Sequence, residues 1–439
     1  MEISREILQD LVRWRESAGR KPLILQGARQ VGKTWILKHF GARYFENTAY
    51  FNFDLQTELK DFFQKTKEPE RIIEFLSIVN GSPILPQKTL VIFDEIQECN
   101  DALNSLKYFR ETHSEYVIAG AGSLLGVALT RGASFPVGNV DFLKMYPLTF
   151  KEFLAHADQS MHEYLSKIQS FEPIPEIFFS KLIDKLKQYF ISGGMPEAVS
   201  ALLEDRNTEK CQNVLQSIIN AYTLDFSKHI DNKDVVRVNY IWSSLPSQLA
   251  RENKKFLYRA VRPGSRAREY EDALTWLVNA GLVYKIHKIS KPGLPLKAYE
   301  ELTSFKIYLS DTAILRKLSM LDPVAITEGN RLFTEFKGAL TENFVLNSLL
   351  TQFEAIPFYW KSSNEAEVDF IVQFKNSIIP IEVKSDENVR SKSLAVYRDK
   401  YKPAISVRVS LKNLKLEEGG FVNIPLFMTD YLRNLIRAL

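Results

Sequence analysis

One octapeptide constrains this chain more than any other feature. Gly27-Ala28-Arg29-Gln30-Val31-Gly32-Lys33-Thr34 follows the apolar run Leu23–Leu25 directly and leads into a helical pattern from Trp35 to Phe40. It fits GxxxxGK[ST] at every fixed position. A strand before it and a helix after it dictate an α/β layer built on a parallel sheet. Gly27 and Gly32 let the backbone N–H groups of Ala28, Arg29, Gln30 and Val31 turn inward around a polyphosphate, and the helix start adds its positive dipole end. Lys33 is placed to reach the β- and γ-phosphates of ATP, and the Thr34 hydroxyl to ligate Mg2+. The plain alternative, a glycine turn between strand and helix, leaves the coincidence of all these positions unexplained.

The second half of such a site lies downstream. Residues 90–95, LVIFDE, form an apolar strand run ending in two carboxylates. Asp94, at the strand end, is placed to hold Mg2+ through water. Glu95 is placed to polarise an attacking water as general base, a group that nucleotide binding without hydrolysis does not need. Four further short apolar runs, at 49–53, 89–93, 115–120 and 140–145, join the one at 22–25 and alternate with helical patterns. The expectation is therefore a mostly parallel sheet over residues 1–148. A helical segment follows over 149–230, then short helices and two strands over 231–325, then a long helix and a strand pair over 326–439.

These motifs together resemble a family of bacterial and archaeal AAA-type ATPases. The resemblance rests on GARQVGKT, FDEIQ, the strand and turn VIAGAGSLLG, and the phrase YPLTFKEFL. It implies that Ser123 acts as a sensor of the γ-phosphate and that Pro196, in GGMPEAV, covers the adenine. Where the family has a Gly-Arg pair before the PLTF phrase, this chain has Gly138-Asn139. Arg131 is an alternative arginine finger on no firmer ground than its charge. A homo-oligomer is consistent with the family, but without a clear finger a ring is not assumed.

A second constellation stands near the C-terminus. In GALTENFVLNSLL, Val345, Leu346 and Leu349 fall three, four and seven residues after Glu342, which puts that carboxylate on the buried face of its helix. Such a group is costly unless paired or bound to a cation. The runs 368–372 and 379–384 read as strands around a turn at Lys375–Ser377; a turn centred between Lys375 and Asn376 sets Asp369 opposite Glu382, a neighbouring centre leaves them diagonal on the same face, and Lys384 shares that face. Asp369 and Glu382 would then hold Mg2+, Lys384 orient water or offset charge, and Glu342 support the metal shell, the chemistry of metal-dependent phosphodiester cleavage. The set resembles the PD-(D/E)XK restriction-endonuclease-like fold over about residues 335–410, although Val368 stands where that fold has its proline. A buried ion-pair network accounts for the same residues, and copies of this fold without activity exist.

Between Arg251 and Arg268, seven basic residues (Arg251, Lys254, Lys255, Arg259, Arg262, Arg266 and Arg268) face one acid, Glu252, leaving +6 where the whole chain carries +4. The order that follows, helix 265–281, strand 283–289, turn and strand 306–309, looks like a winged helix. Its arginines face DNA in one reading and solvent on an interdomain helix in the other.

Composition closes off other classes. With 45% hydrophobic and 25% charged residues the chain is an ordinary globular protein. The longest apolar stretch, Tyr116–Leu129, spans 14 residues and holds three glycines, short of the roughly 18 to 20 that cross a bilayer. Cys99 and Cys211 build neither a disulfide framework nor a zinc cage, which fits a reduced, cytoplasmic setting. Three readings compete: an ATPase coupled to DNA binding and cleavage, a DNA-binding ATPase that remodels without cutting, and a regulatory switch whose nuclease-like domain only binds a partner.

Overall fold

The computed structural model describes residues 3–122, 138–230, 232–251, 254–328, 334–363, 366–385 and 391–439. The chain divides into two compact units, Glu2–Tyr146 with Asn279–Leu282, and Pro147–Val278 with Val283–Leu439.

In the N-terminal unit five short apolar runs become five strands: β1 (Leu23–Gln26), β2 (Asn47–Asn52), β3 (Thr89–Asp94), β4 (Val117–Ala121) and β5 (Asp141–Lys144). They pair in the order β2-β3-β4-β1-β5, every neighbour parallel. Every residue of β3 and β4 is buried, the pattern of a parallel sheet with helices on both faces. Phenylalanines fill much of the core: Phe53 meets Phe63 and Phe93 edge-on, each with ring centroids 5.5 Å apart. The sheet sets the ends of β1 and β3 on either side of β4, which brings the octapeptide and Asp94 together.

The C-terminal unit starts with a capping box, the reason for the TFKE of the PLTF phrase. Thr149 Oγ1 accepts from the Glu152 N–H at 3.1 Å, and Glu152 Oε2 accepts from the Thr149 N–H at 3.0 Å, closing two of the free donors at the start of helix Phe150–Ala157. Helices Glu176–Ser192, Pro196–Leu203, Thr208–His229 and Asn232–Leu249 follow, then helix Ala267–Asn279 and strands β6 (Val283–Ile289) and β7 (Glu300–Leu309). The C-terminal strand pair expected from the sequence belongs to a larger sheet. Strands β8 (Phe358–Lys361), β9 (Glu367–Phe374), β10 (Ser377–Val383), β11 (Ser406–Ser410), β12 (Lys415–Glu417) and β13 (Phe421–Pro425) run in the order β12-β13-β11-β10-β9-β8-β6-β7. The hairpin that looked like a wing is thus the edge of one eight-stranded sheet, joined through parallel pairing of Lys288 with Tyr359 and Ile289 with Trp360.

Candidate active site

The loop geometry follows from its glycines. Gly27 has φ +154°, and a Cβ there would stand 2.2 Å from the Met145 carbonyl oxygen. Gly32 caps helix Lys33–Tyr44 with φ 97°, a left-handed conformation that glycine adopts without a steric penalty. Arg5 braces the outside of the loop, donating to the Val31 carbonyl at 3.0 Å. Lys33 is buried, and its ammonium donates to the Gly27 and Ala28 carbonyls at 2.9 and 2.8 Å. Burial pushes it down to about 8, against the pull of Glu95 and Asp94 and with help from Arg29.

The acidic strand end meets the loop. Thr34 Oγ1 donates to Asp94 Oδ2 at 2.9 Å, and the Tyr50 hydroxyl donates to the same oxygen at 2.7 Å. The Glu95 N–H donates to Asp94 Oδ1 at 3.2 Å. Glu95 itself leaves the strand with φ 48°, and its Oε2 accepts from Gln97 Nε2 at 2.6 Å. A hydroxyl and a carboxylate meeting beside a phosphate loop are hard oxygen donors, which fit Mg2+. Ser123 and Arg131 lie outside the described residues. Pro196 opens helix Pro196–Leu203 in the C-terminal unit. The glycines before it serve packing there: the Gly194 N–H donates to the buried carboxylate of Asp311 at 2.7 Å, and a Cβ on Gly193 would meet Asp311 Oδ1 at 2.2 Å.

In the C-terminal unit β9 and β10 pair from Phe374–Ser377 to Phe370–Ile381, so Asp369 and Glu382 are the next positions of that register. Each residue of the expected metal set has a protein partner. Glu342 is buried, with one oxygen on Lys254 and the other accepting from the Tyr308 hydroxyl at 3.1 Å. Asp369 Oδ2 accepts from the Val383 N–H at 2.8 Å. Glu382 holds Lys384 at 2.6 Å and accepts from the Leu394 N–H at 2.9 Å, in the first turn of helix Lys392–Tyr401. Lys306, fully buried, pairs with Glu367 at 2.5 Å.

The electrostatics tie these groups into one cluster. Burial and then the nearby Glu342 push Asp369 up to about 7, against Lys306 and Lys254. Burial alone would push Glu342 up; Lys254 and Lys306 outweigh it and hold the carboxyl below its usual range. Burial would lower Lys384, yet Glu382, Asp369 and Glu342 raise it. Among the described residues, no three carboxylate, histidine or cysteine side chains stand together as a metal-holding group.

Sequence reasoning missed Tyr50 and Asn52 at the loop, and Lys254, Lys306 and Tyr308 at the cluster. The alternation of Tyr50 and Asn52 along a strand was the one available signal for the first pair. Lys254 belongs by sequence to the basic stretch between Arg251 and Arg268. In the structure Lys254 and Lys255 are partly buried, Lys255 donating to Ser304 Oγ at 3.0 Å, while Arg251, Arg259, Arg262, Arg266 and Arg268 are exposed.

Comparison with known proteins finds an AAA domain over residues 19–154, a domain of unknown function (DUF8612) over 183–325 and another (DUF4143) over 337–427. No curated protein matches the chain. Among solved structures it is similar to a Walker-type ATPase of Pyrococcus abyssi, at 14% identity and TM-score 0.45, over 72% of this chain and 95% of that one. It is also similar to the Aeropyrum pernix ORC1 protein in complex with DNA, at 13% identity and TM-score 0.30, over 74% and 95%. AMPPCP-bound DnaA from Aquifex aeolicus matches at 13% identity and TM-score 0.29, over 63% and 88%. Residues 19–154 therefore carry an AAA-type P-loop domain, and ATP hydrolysis is the enzymatic activity this domain supports. Among the described residues no helix is long and apolar enough to cross a membrane.

Proposed function

We propose that the chain binds ATP with Mg2+, hydrolyses it, and uses the cycle to control how its C-terminal unit engages DNA. The observation that carries the first part is the 2.9 Å bond from Thr34 to Asp94 beside the glycine loop. Loop N–H groups and Lys33 bind the phosphates; Thr34 and Asp94 hold the cation; Glu95, steadied by Gln97, takes the proton of the attacking water. Thr34 and Asp94 would hold Mg2+ beside the loop, and the cation would supply charge compensation for the transferred phosphoryl group. Loss of nucleotide binding in Lys33→Ala tests the site, and unchanged affinity would refute it.

The DNA part rests on the five exposed arginines between Arg251 and Arg268. Each phosphate contact they make steepens the salt dependence of binding, by about 0.9 in the log–log slope for duplex DNA. A single Arg→Ala that leaves the slope unchanged removes that residue from the interface.

For the C-terminal cluster, the ion pair of Glu342 with Lys254, a lysine outside the cleavage set, favours the regulatory reading over cleavage. That lysine already compensates a carboxylate that a metal would have to compensate. A cleavage assay on single-stranded, duplex and branched DNA, with Mg2+ or Mn2+ and with or without ATP, decides between the two. No cutting alongside intact ATPase activity supports the switch; cutting that Asp369→Ala abolishes establishes a nuclease.

A further inference from the structure

We infer that Tyr50 is a positioning residue for Asp94 in ATP hydrolysis, an inference that rests on the reading that Thr34 and Asp94 hold Mg2+. Asp94 Oδ2 accepts two hydroxyl donors, Thr34 at 2.9 Å and Tyr50 at 2.7 Å, which uses both lone pairs of that oxygen. The two donors differ in what they can keep doing. Thr34 sits in the loop and its oxygen is the one that turns to a cation. Tyr50 has no such second task, so its bond is the one that fixes the carboxylate whether the cation is present or not.

Tyr50 is itself held on three sides. Asn52 Nδ2 donates to its hydroxyl at 3.2 Å. The Lys38 ammonium, one helical turn after Thr34, lies 3.5 Å from its ring centroid. The parallel ladder of β2 with β3 sets Asn52 beside Asp94 and Tyr50 beside Ile92. Asn52 is fixed in turn, since its Oδ1 accepts from the Asp54 and Leu55 N–H groups, both at 3.0 Å, and its own N–H donates to Gln56 Oε1 at 2.9 Å. The strand end, its following turn and the acid are thus one hydrogen-bonded chain. Asp94 also takes the Glu95 N–H, so a carboxylate free to rotate loosens the backbone that aims the general base.

Tyr50→Phe tests this, because it keeps the ring under Lys38 and removes only the hydroxyl. A bond to a charged acceptor of this kind converts to about a tenfold effect. The Mg2+ concentration for half-maximal hydrolysis should rise about tenfold, while nucleotide affinity measured in EDTA stays at the wild-type value. Unchanged Mg2+ dependence overturns the inference. So does an equal loss of affinity in EDTA with a lowered melting temperature, the mark of a structural role only. Asp94→Asn run alongside separates the layers: if it too leaves Mg2+ dependence unchanged, the metal-site reading falls as well, whereas a loss there with none in Tyr50→Phe sinks the Tyr50 inference alone.

Discussion

Burying the Lys33 ammonium should cost the nucleotide-free protein about as much stability as its hydrogen bonds return, and replacing it should show this. Lys33 is 7% exposed and its ammonium is pushed by burial from the usual 10.5 down to about 8. That gap corresponds to about 3 kcal/mol by which the folded state disfavours the charged form at neutral pH. In the opposite direction, the two bonds to the Gly27 and Ala28 carbonyls are lost when the side chain is replaced, each worth about 1.5 kcal/mol because the donor is charged. Lys33→Met should therefore leave the nucleotide-free chain about as stable as wild type, although it abolishes ATP binding.

The sign of the pH dependence follows from the same numbers. Between about pH 8 and 10.5 the unfolded chain holds the Lys33 proton and the folded chain has released it, so wild-type stability should gain from this group as pH rises through that window. Affinity for ATP should move the other way, falling as pH rises through 8 and the cation is lost. Urea denaturation without nucleotide at pH 7 and at pH 9.5, for both proteins, provides the assay. A Lys33→Met protein destabilised by more than about 2 kcal/mol at pH 7 would refute the reasoning, since the buried ammonium would then be a net stabiliser.

Other perturbations read other parts of the structure. Glu95→Gln should retain nucleotide binding in a fluorescence titration and lower turnover by about 10²- to 10⁴-fold, the range of a lost general base; turnover within threefold of wild type excludes that role. Lys254→Met should destabilise the C-terminal unit by about 3 kcal/mol, because buried Glu342 loses its ion-pair partner and keeps only Lys306 to offset its charge. Adding Glu342→Gln should recover most of that loss in thermal melting, and additive losses would mean the two do not interact. Gly193→Ala places a Cβ 2.2 Å from Asp311 Oδ1 at φ +62°; a loss of more than about 2 kcal/mol in denaturation midpoints is expected, and a neutral effect would mean that Asp311 can move away.

What the sequence determined alone is what depends on near neighbours. The strand, glycine loop and helix around residues 23–44 follow from apolar pattern and glycine chemistry within a single stretch. The hairpin of β9 and β10 follows in the same way, but its register does not: the sequence allows more than one turn centre, and the two-residue turn at Lys375 and Asn376, with Lys375 at φ 53°, fixes every pair behind it. Glu342 reads as buried from the apolar residues one and two turns along its own helix. The tertiary structure decided the partners. Asn52 stands beside Asp94 because β2 pairs with β3 across two intervening helices, and no local period encodes that pairing. The hairpin of β6 and β7 became part of the C-terminal sheet through two residue pairs some 70 positions apart. The same closure turned Lys254 and Lys306 inward. Composition counts each as a surface charge, yet 88 residues of separation vanish in the ion pair of Lys254 with Glu342. A charge's role is set by what surrounds it once the chain has closed, because burial is a property of the packed fold and not of the residue.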